Sequence, residues 1–183
     1  VTLLDVACGA GRFAAAAAQK GWTVTGYDTA PTAIEVARTV FGKLETFAQA
    51  GIDQLATGNL TPAMTAARFD VVTCFEFLEH VPEPVEVIRT LRSLVQPNGI
   101  IFFTVPNWGS RAVRTSTLPQ WIPPVHLQFF TRRSLIKVLR TALAPGTVIT
   151  TGYVPPRKGL FPLSQFTSNQ PDGLWAMAQL REQ

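Results

Sequence analysis

The sequence predicts an α/β fold, a parallel sheet with helices packed on both of its faces. Three observations point to it. Short apolar runs at Leu3–Val6, Trp22–Asp28, Phe69–Phe75 and Ile100–Val105 alternate with segments of helical period, the pattern of strands buried on both sides and joined by crossover helices. A carboxylate and two glycines, Asp5, Gly9 and Gly11, stand at the turn between the first run and the first helical segment. The 183 residues are 46% hydrophobic, without repeats, low-complexity tracts or a long unbroken apolar stretch, so one domain spanning 1–183 is expected.

In chain order, Leu3-Leu4-Asp5-Val6 is the first strand and Arg12–Lys20 the first helix, stopped by Gly21. Trp22–Asp28 is the second strand. Thr32-x-x-Glu35 reads as a capping box, in which two side chains satisfy free N–H groups at a helix start, so a second helix is expected to run to about Phe41. Leu44–Gln49 is expected as a third strand and Phe69–Phe75 as a fourth. Val87, Ile88, Leu91, Leu94 and Val95 make one apolar stripe on a helix from Pro84. Pro97-Asn98-Gly99 turns the chain into the fifth strand, Ile100–Val105. Asn107–Val125 then carries Trp108, Trp121 and three prolines, longer than a connector needs and suited to a loop over a substrate. Thr131 is placed to cap a helix through Leu143, with Leu135, Val138, Leu139 and Ala142 inward, and Thr147–Tyr153 and Leu174–Leu180 read as two last strands.

The formal net charge of +4 is unevenly spread. Residues 1–86 hold ten acids and five bases, whereas residues 87–171 hold ten bases and no acid. The acidic part, which contains the glycine turn, suits a cationic ligand, and the acid-free part suits an anionic substrate, carrier or surface. Arg132, Arg133, Lys137 and Arg140 have two readings: part of that anionic contact, or the solvated face of a helix. Cys8 and Cys74 lie far apart in apolar strand contexts, which argues for buried thiols in a reducing compartment and against a cysteine metal site. No leader pattern and no membrane-length apolar span is visible, so a cytoplasmic location is expected.

The chemistry begins at Leu3-Leu4-Asp5-Val6-Ala7-Cys8-Gly9-Ala10-Gly11-Arg12-Phe13. Glycines let backbone pack against a ligand, and the helix that follows presents unpaired N–H groups. Asp5 repels a pyrophosphate but accepts a hydrogen bond from an amino group, so the expected ligand is positive near this turn. The run resembles motif I of the class I S-adenosylmethionine-dependent methyltransferases, acid-x-Gly-x-Gly-x-Gly; Asp5, Gly9 and Gly11 match, and Ala7 stands where the first glycine would be. The resemblance implies S-adenosyl-L-methionine as cofactor. It also implies a Rossmann-like three-layer sandwich with a seven-stranded, mostly parallel sheet whose last strand is antiparallel beside the fifth, and it covers nearly the whole chain, lacking only the family's N-terminal helices. Asp28 ends the second strand, where a carboxylate can hold both hydroxyls of a ribose, as the corresponding acid does in the family, with Thr29 beside it. Gly51-Ile52-Asp53 follows the third strand, and the family's acid near the adenine amino group implies Asp53.

The run Phe69-Asp70-Val71-Val72-Thr73-Cys74-Phe75-Glu76-Phe77-Leu78-Glu79-His80-Val81 is similar to the fourth-strand region of small-molecule methyltransferases, notably the ubiquinone-biosynthesis O-methyltransferases, where Phe-Asp-Val-Val leads to Glu-x-x-Glu-His-Val. That likeness implies that Cys74-Phe75-Glu76 lines the methionine part of the cofactor. If the segment is helical, Glu76, Glu79 and His80 share a face. Such a face has three possible uses: structural support, acid–base work with Glu79 orienting His80, or a divalent cation. His126, in a run resembling the family's His-x-x-x-Phe-Thr/Ser at the substrate side, is a second candidate base or a packing residue. Trp108, Trp121 and Phe129 are expected to shape an apolar acceptor site, with Arg111 and Arg114 holding an anionic group. The expected reaction is in-line methyl transfer to a small molecule, anionic or carrier-linked forms included, with oxygen first among acceptor atoms. Three rivals stay open. Nucleic-acid methylation is disfavoured because no Asn-Pro-Pro-Tyr-like tetrad follows strand four; a nicotinamide dehydrogenase fits Gly9-x-Gly11-x-x-Ala14 and Asp28 but not Asp5; the third is a binding module without turnover.

Overall fold

The computed structural model describes residues 1–42, 47–57, 68–115, 123–154 and 173–181. Seven strands, β1 Thr2–Val6, β2 Thr23–Asp28, β3 Phe47–Gln49, β4 Phe69–Phe75, β5 Val95–Pro106, β6 Val148–Val154 and β7 Gly173–Gln179, form one sheet in the order β3-β2-β1-β4-β5-β7-β6. β1 is parallel to β2 and β4, β2 to β3, and β4 to β5; β7 runs antiparallel to both β5 and β6. The expected mostly parallel seven-stranded sheet with an antiparallel last strand is the one that forms.

Side-chain alternation along each strand sorts the core into two layers. Leu3 and Val24 pack with Ala14 and Ala17 of α1 (Arg12–Ala18), Ile34 and Ala37 of α2 (Pro31–Phe41), and Phe47. Leu4, Val6, Val72, Ile101 and Phe103 pack on the opposite face with Val87, Ile88 and Leu91 of α4 (Pro84–Ser93) and Leu135 and Leu139 of α6 (Arg132–Ala142). Asp5 therefore shares the α1 side of the sheet with Leu3. Two short helices, α3 (Ile52–Thr57) and α5 (Arg111–Arg114), complete the described elements. No described helix is long and apolar enough to cross a membrane.

Local differences from expectation have local causes. The capping box at Thr32 and Glu35 does not form, because α2 starts earlier, with Pro31 in the first turn where its missing N–H costs nothing. Ala30 is the cap, without a side-chain bond of its own, and its N–H is taken instead by Asp28 Oδ1 at 2.9 Å. Thr131 does cap α6, in a reciprocal box with Ser134. Pro97-Asn98-Gly99 turns within β5: Phe69 pairs with Val95 but Val71 with Ile100, and Asn98 takes a φ of 64°. The predicted third strand shortens to Phe47–Gln49, with positions 44–46 outside the described residues, and α3 was not foreseen. Of the stretch 107–125, the part at 116–122, including Trp121, also lies outside them.

Candidate functional site

The register brings the ends of four parallel strands to one edge. Val6 pairs with both Tyr27 and Cys74, and Asp28 with Gln49, so Ala7, Asp28 and Phe75 emerge side by side. The chain then turns through three left-handed residues, Ala7, Gly9 and Gly11, with φ of 55°, 54° and 73°. The two glycines serve different ends. A Cβ on Gly11 would stand 2.6 Å from the Phe47 ring, so this glycine lets α1 pack against the sheet; a Cβ on Gly9 would meet nothing within 4 Å. Gly9 thus faces open space beside Asp28, whose Oδ2 accepts its N–H at 2.8 Å. Each Asp28 oxygen already accepts one backbone N–H and keeps a lone pair for another donor.

Asp5 lies behind this turn, 1% exposed, and accepts the Thr73 hydroxyl at 2.7 Å. Burial pushes its carboxyl up to about 6, against the Thr73 bond and with a smaller push from the Asp28 charge. Two neighbouring carboxylates give the turn a negative field suited to a cation. Burial also drives the Cys8 thiol up to about 12, which removes it as a nucleophile. Phe13 of α1 stands edge-on to Phe75 at 4.7 Å between centroids and forms a partly exposed wall.

Past β4 the path is not α-helical. Glu76 has a φ of 48°, its N–H donating to the Thr104 carbonyl at 2.9 Å, and Leu78–His80 is a single 3₁₀ turn. The expected helical face of Glu76, Glu79 and His80 therefore does not form. Glu79 and His80 meet His126 instead, with one ligand atom of each lying within 4.8 Å of the others. His80 Nδ1 donates to the Val125 carbonyl at 2.7 Å, which leaves the lone pair on Nε2. That Nε2 is 4.0 Å from Glu79 Oε1, beyond hydrogen-bond reach, so Val125 and not Glu79 orients the ring. Glu79 acts through its backbone: its carbonyl accepts the Leu127 and Gln128 N–H groups at 2.7 and 3.0 Å and ties the His126 segment to the 3₁₀ turn. The two imidazoles sit edge to face at 4.7 Å.

Glu79 is 1% exposed, and its Oε2 has no hydrogen-bond partner among the described residues. Burial, with repulsion from Glu76 added, pushes its carboxyl up to about 8. His126 is shifted down by burial and then by His80, which favours its neutral form. A buried carboxyl with an unmet oxygen and two imidazoles is also a donor set for a divalent cation.

A family model described as a methyltransferase domain matches residues 2–142. The chain belongs to this family, the class I S-adenosylmethionine-dependent methyltransferases. The chain is 44% identical over 108 residues to a ubiquinone biosynthesis O-methyltransferase of Vibrio parahaemolyticus, a match covering 57% of this chain and 43% of that protein. It is 33% identical over 171 residues to the protein of the same description from Idiomarina loihiensis, covering 89% and 69%. The chain thus spans less than half the length of several curated relatives it matches. In fold it is similar to a SAM-dependent methyltransferase from Archaeoglobus fulgidus, with a TM-score of 0.73 at 19% identity over 97% of this chain and 85% of that one. It is likewise similar to the plantazolicin methyltransferase BamL in complex with a triazolic desmethylPZN analog and SAH, with a TM-score of 0.75 at 14% identity over 99% and 77%.

The remaining candidates occupy the periphery of the same edge. Thr29 is exposed beside Gly51, and Asp53 is exposed in the first turn of α3. The Trp108 and Phe129 rings pack at 4.5 Å between centroids, and the Trp108 backbone N–H donates to the Phe130 carbonyl at 2.7 Å. Arg114 donates to the Gly109 carbonyl at 3.3 Å and Arg111 opens α5. Three contributors escaped sequence reasoning: Thr73, Phe13 and the Val125 carbonyl. Thr73 had a signal, as the polar member of Val71-Val72-Thr73 that registers with Asp5. The carbonyl had none, since any residue supplies one.

Proposed function

We propose that this chain acts as a single domain over 1–183, binds S-adenosyl-L-methionine at the β1–α1 turn, and transfers its methyl in line to a small-molecule acceptor, with oxygen as the acceptor atom. The open space at Gly9, beside two carboxylates at the ends of parallel strands, carries the reading. When bound, the cofactor supplies a methyl already activated by the sulfonium charge. Asp5 favours the cationic amino group, Ala7, Gly9 and Gly11 shape the cradle, and Asp28 takes the ribose hydroxyls on its remaining lone pairs. Thr29 and Asp53 serve the adenine side, and Phe75 and Glu76 the methionine side. Alignment of this kind contributes up to roughly 7–11 kcal/mol in well-oriented systems.

His80 is the proposed base, because the Val125 bond fixes its lone pair on Nε2, and His126 backs it from 4.7 Å. Glu79, uncharged over much of the neutral range, holds the two segments together. Trp108, Phe129, Arg111 and Arg114, on the described parts of 107–125 and its border, face an acceptor that is anionic or carrier-linked. The free thiols, Cys74 buried and Cys8 half-buried, fit a cytoplasmic location. Calorimetry with S-adenosylmethionine and S-adenosylhomocysteine tests the core of the proposal: saturable heat from both is expected, and heat from neither, or from NAD alone, refutes it. A second reading, in which Glu79, His80 and His126 hold a divalent cation, is favoured by the unmet Glu79 Oε2. It predicts that dialysis against EDTA lowers turnover and that added Mg²⁺ or Zn²⁺ restores it.

A further inference from the structure

The basic residues of α6 are not absorbed by the site above. Arg132, Arg133, Lys137 and Arg140 are exposed, and with Ile136 and Tyr153 they line a cleft of about 690 Å³ between α6 and the edge strand β6. None of the four has an ion pair among the described residues, and the sequence holds no acid from 87 to 171. Arg133 and Lys137 are one turn apart, as are Lys137 and Arg140, so like charges face one another at spacings that weaken a helix by a few tenths of a kcal/mol per pair. Arg132 is held by a bond from Nε to the Thr151 hydroxyl at 2.7 Å, which aims its guanidinium along the β6 side of the cleft. The Tyr153 ring, 52% exposed, and Ile136 supply an apolar wall among the cations.

We propose that this cleft binds the phosphate groups of a small organic diphosphate, with Tyr153 stacking on the flat or apolar group attached to them. Arginine forks and lysine ammoniums at one-turn spacing match adjacent phosphates, and the cations span roughly 12 Å along α6. The recess is of ligand size, and cations lining a recess contact a molecule that enters it better than a flat lipid surface or a duplex. The cleft also lies near the acceptor side. Arg132 is six residues from His126, at most about 20 Å of extended chain, so a diphosphate here can serve as the handle of an acceptor whose reacting end is at His80. That last role rests on the acceptor reading above; binding in the cleft does not.

Calorimetry with inorganic pyrophosphate and with UDP, at 150 mM salt and with S-adenosylhomocysteine at saturation, tests the proposal. Pyrophosphate is expected to bind saturably, and the double variant Arg133→Gln with Lys137→Gln to bind it about tenfold more weakly or worse. UDP is expected to bind several-fold tighter than pyrophosphate, and Tyr153→Ala to erase that difference while leaving pyrophosphate binding intact. An unchanged or raised melting temperature in the double variant shows that the loss is not unfolding. No pyrophosphate binding, or equal binding by wild type and double variant, overturns the proposal. So does cleft-dependent binding of phosphatidylglycerol vesicles or an oligonucleotide without pyrophosphate binding. Failure of S-adenosylhomocysteine to bind while pyrophosphate does so refutes the methyltransferase site and leaves the cleft standing.

Discussion

Replacing Glu79 with Gln should make the protein more stable, with a size set by the titration of one buried carboxyl. In the fold that carboxyl is pushed from 4.5 to about 8, chiefly by burial. Because its folded pKa is the higher one, the unfolded chain loses the proton first, and ionisation of Glu79 opposes folding. Stability therefore falls as pH rises from about 4.5 to about 8 and is flat outside that window. At about 1.4 kcal/mol per pH unit the full cost approaches 5 kcal/mol, of which about 3 kcal/mol is already present at pH 7. Glutamine has nearly the same shape and no charge, so it removes that cost and leaves the backbone ties to Leu127 and Gln128 in place. Urea unfolding of both proteins at pH 5, 6, 7 and 8 in EDTA measures this. The curves should converge near pH 5 and diverge upward, and the pH 7 melting temperature of the variant should rise by roughly 6–12 °C at 2–4 °C per kcal/mol for a chain of this size. Parallel curves, or a variant less stable at pH 8, would refute the placement of an uncharged, buried Glu79.

Other expectations follow from the same geometry. Ala7→Gly removes a left-handed alanine that costs about 1–2 kcal/mol, against a gain of about 0.4–1 kcal/mol in unfolded-state freedom, so stability should rise by about 1 kcal/mol or less while cofactor affinity tightens; weaker binding of S-adenosylhomocysteine by calorimetry contradicts this. Cofactor affinity should rise as pH passes upward through about 6, because an amino group favours ionised Asp5, and Asp5→Asn should weaken binding and flatten that profile; a flat wild-type titration between pH 5 and 7.5 argues against the contact. His80→Ala should cut turnover about 10²–10⁴-fold with cofactor affinity unchanged if the ring is the base, and equal turnover in the variant removes it from the mechanism.

The sheet was legible because burial on both faces leaves a mark at every strand position. Leu3 and Leu4 go to opposite layers, and each layer has its own helices, so apolar runs broken by helical period imply a parallel sheet covered on both faces, while the antiparallel last strand beside the fifth was implied by the family resemblance. The turn after β1 was legible for a related reason: Gly9, Gly11 and Asp28 stand at strand ends whose sequence positions the strands themselves fix. Where local rules failed, a competing local partner was present. The Thr32 capping box lost to Pro31 and to the Asp28 carboxylate, which reached the Ala30 N–H from the preceding strand.

The region that carries His80 and His126 resisted sequence reading because its contacts are long-range and partly main-chain. Glu76, Glu79 and His80 at helical spacing imply a shared face only if the backbone continues as a helix, and the Thr104 carbonyl, 28 residues on, holds Glu76 in a left-handed turn that ends it. What replaces the helical face is a pairing of His80 with His126 across 46 residues, made by the Glu79 and Val125 carbonyls. Main-chain acceptors leave no signature in residue type, so no pattern search could have found this one. The consequence is asymmetric for mutation: substitutions at Gly9 or Asp28 act on groups chosen by residue type, whereas the orientation of His80 survives any replacement at Val125 that keeps the turn. Val125→Ala should therefore preserve turnover where His80→Ala abolishes most of it, and equal losses from the two would mean that side-chain packing, not the carbonyl, sets the ring.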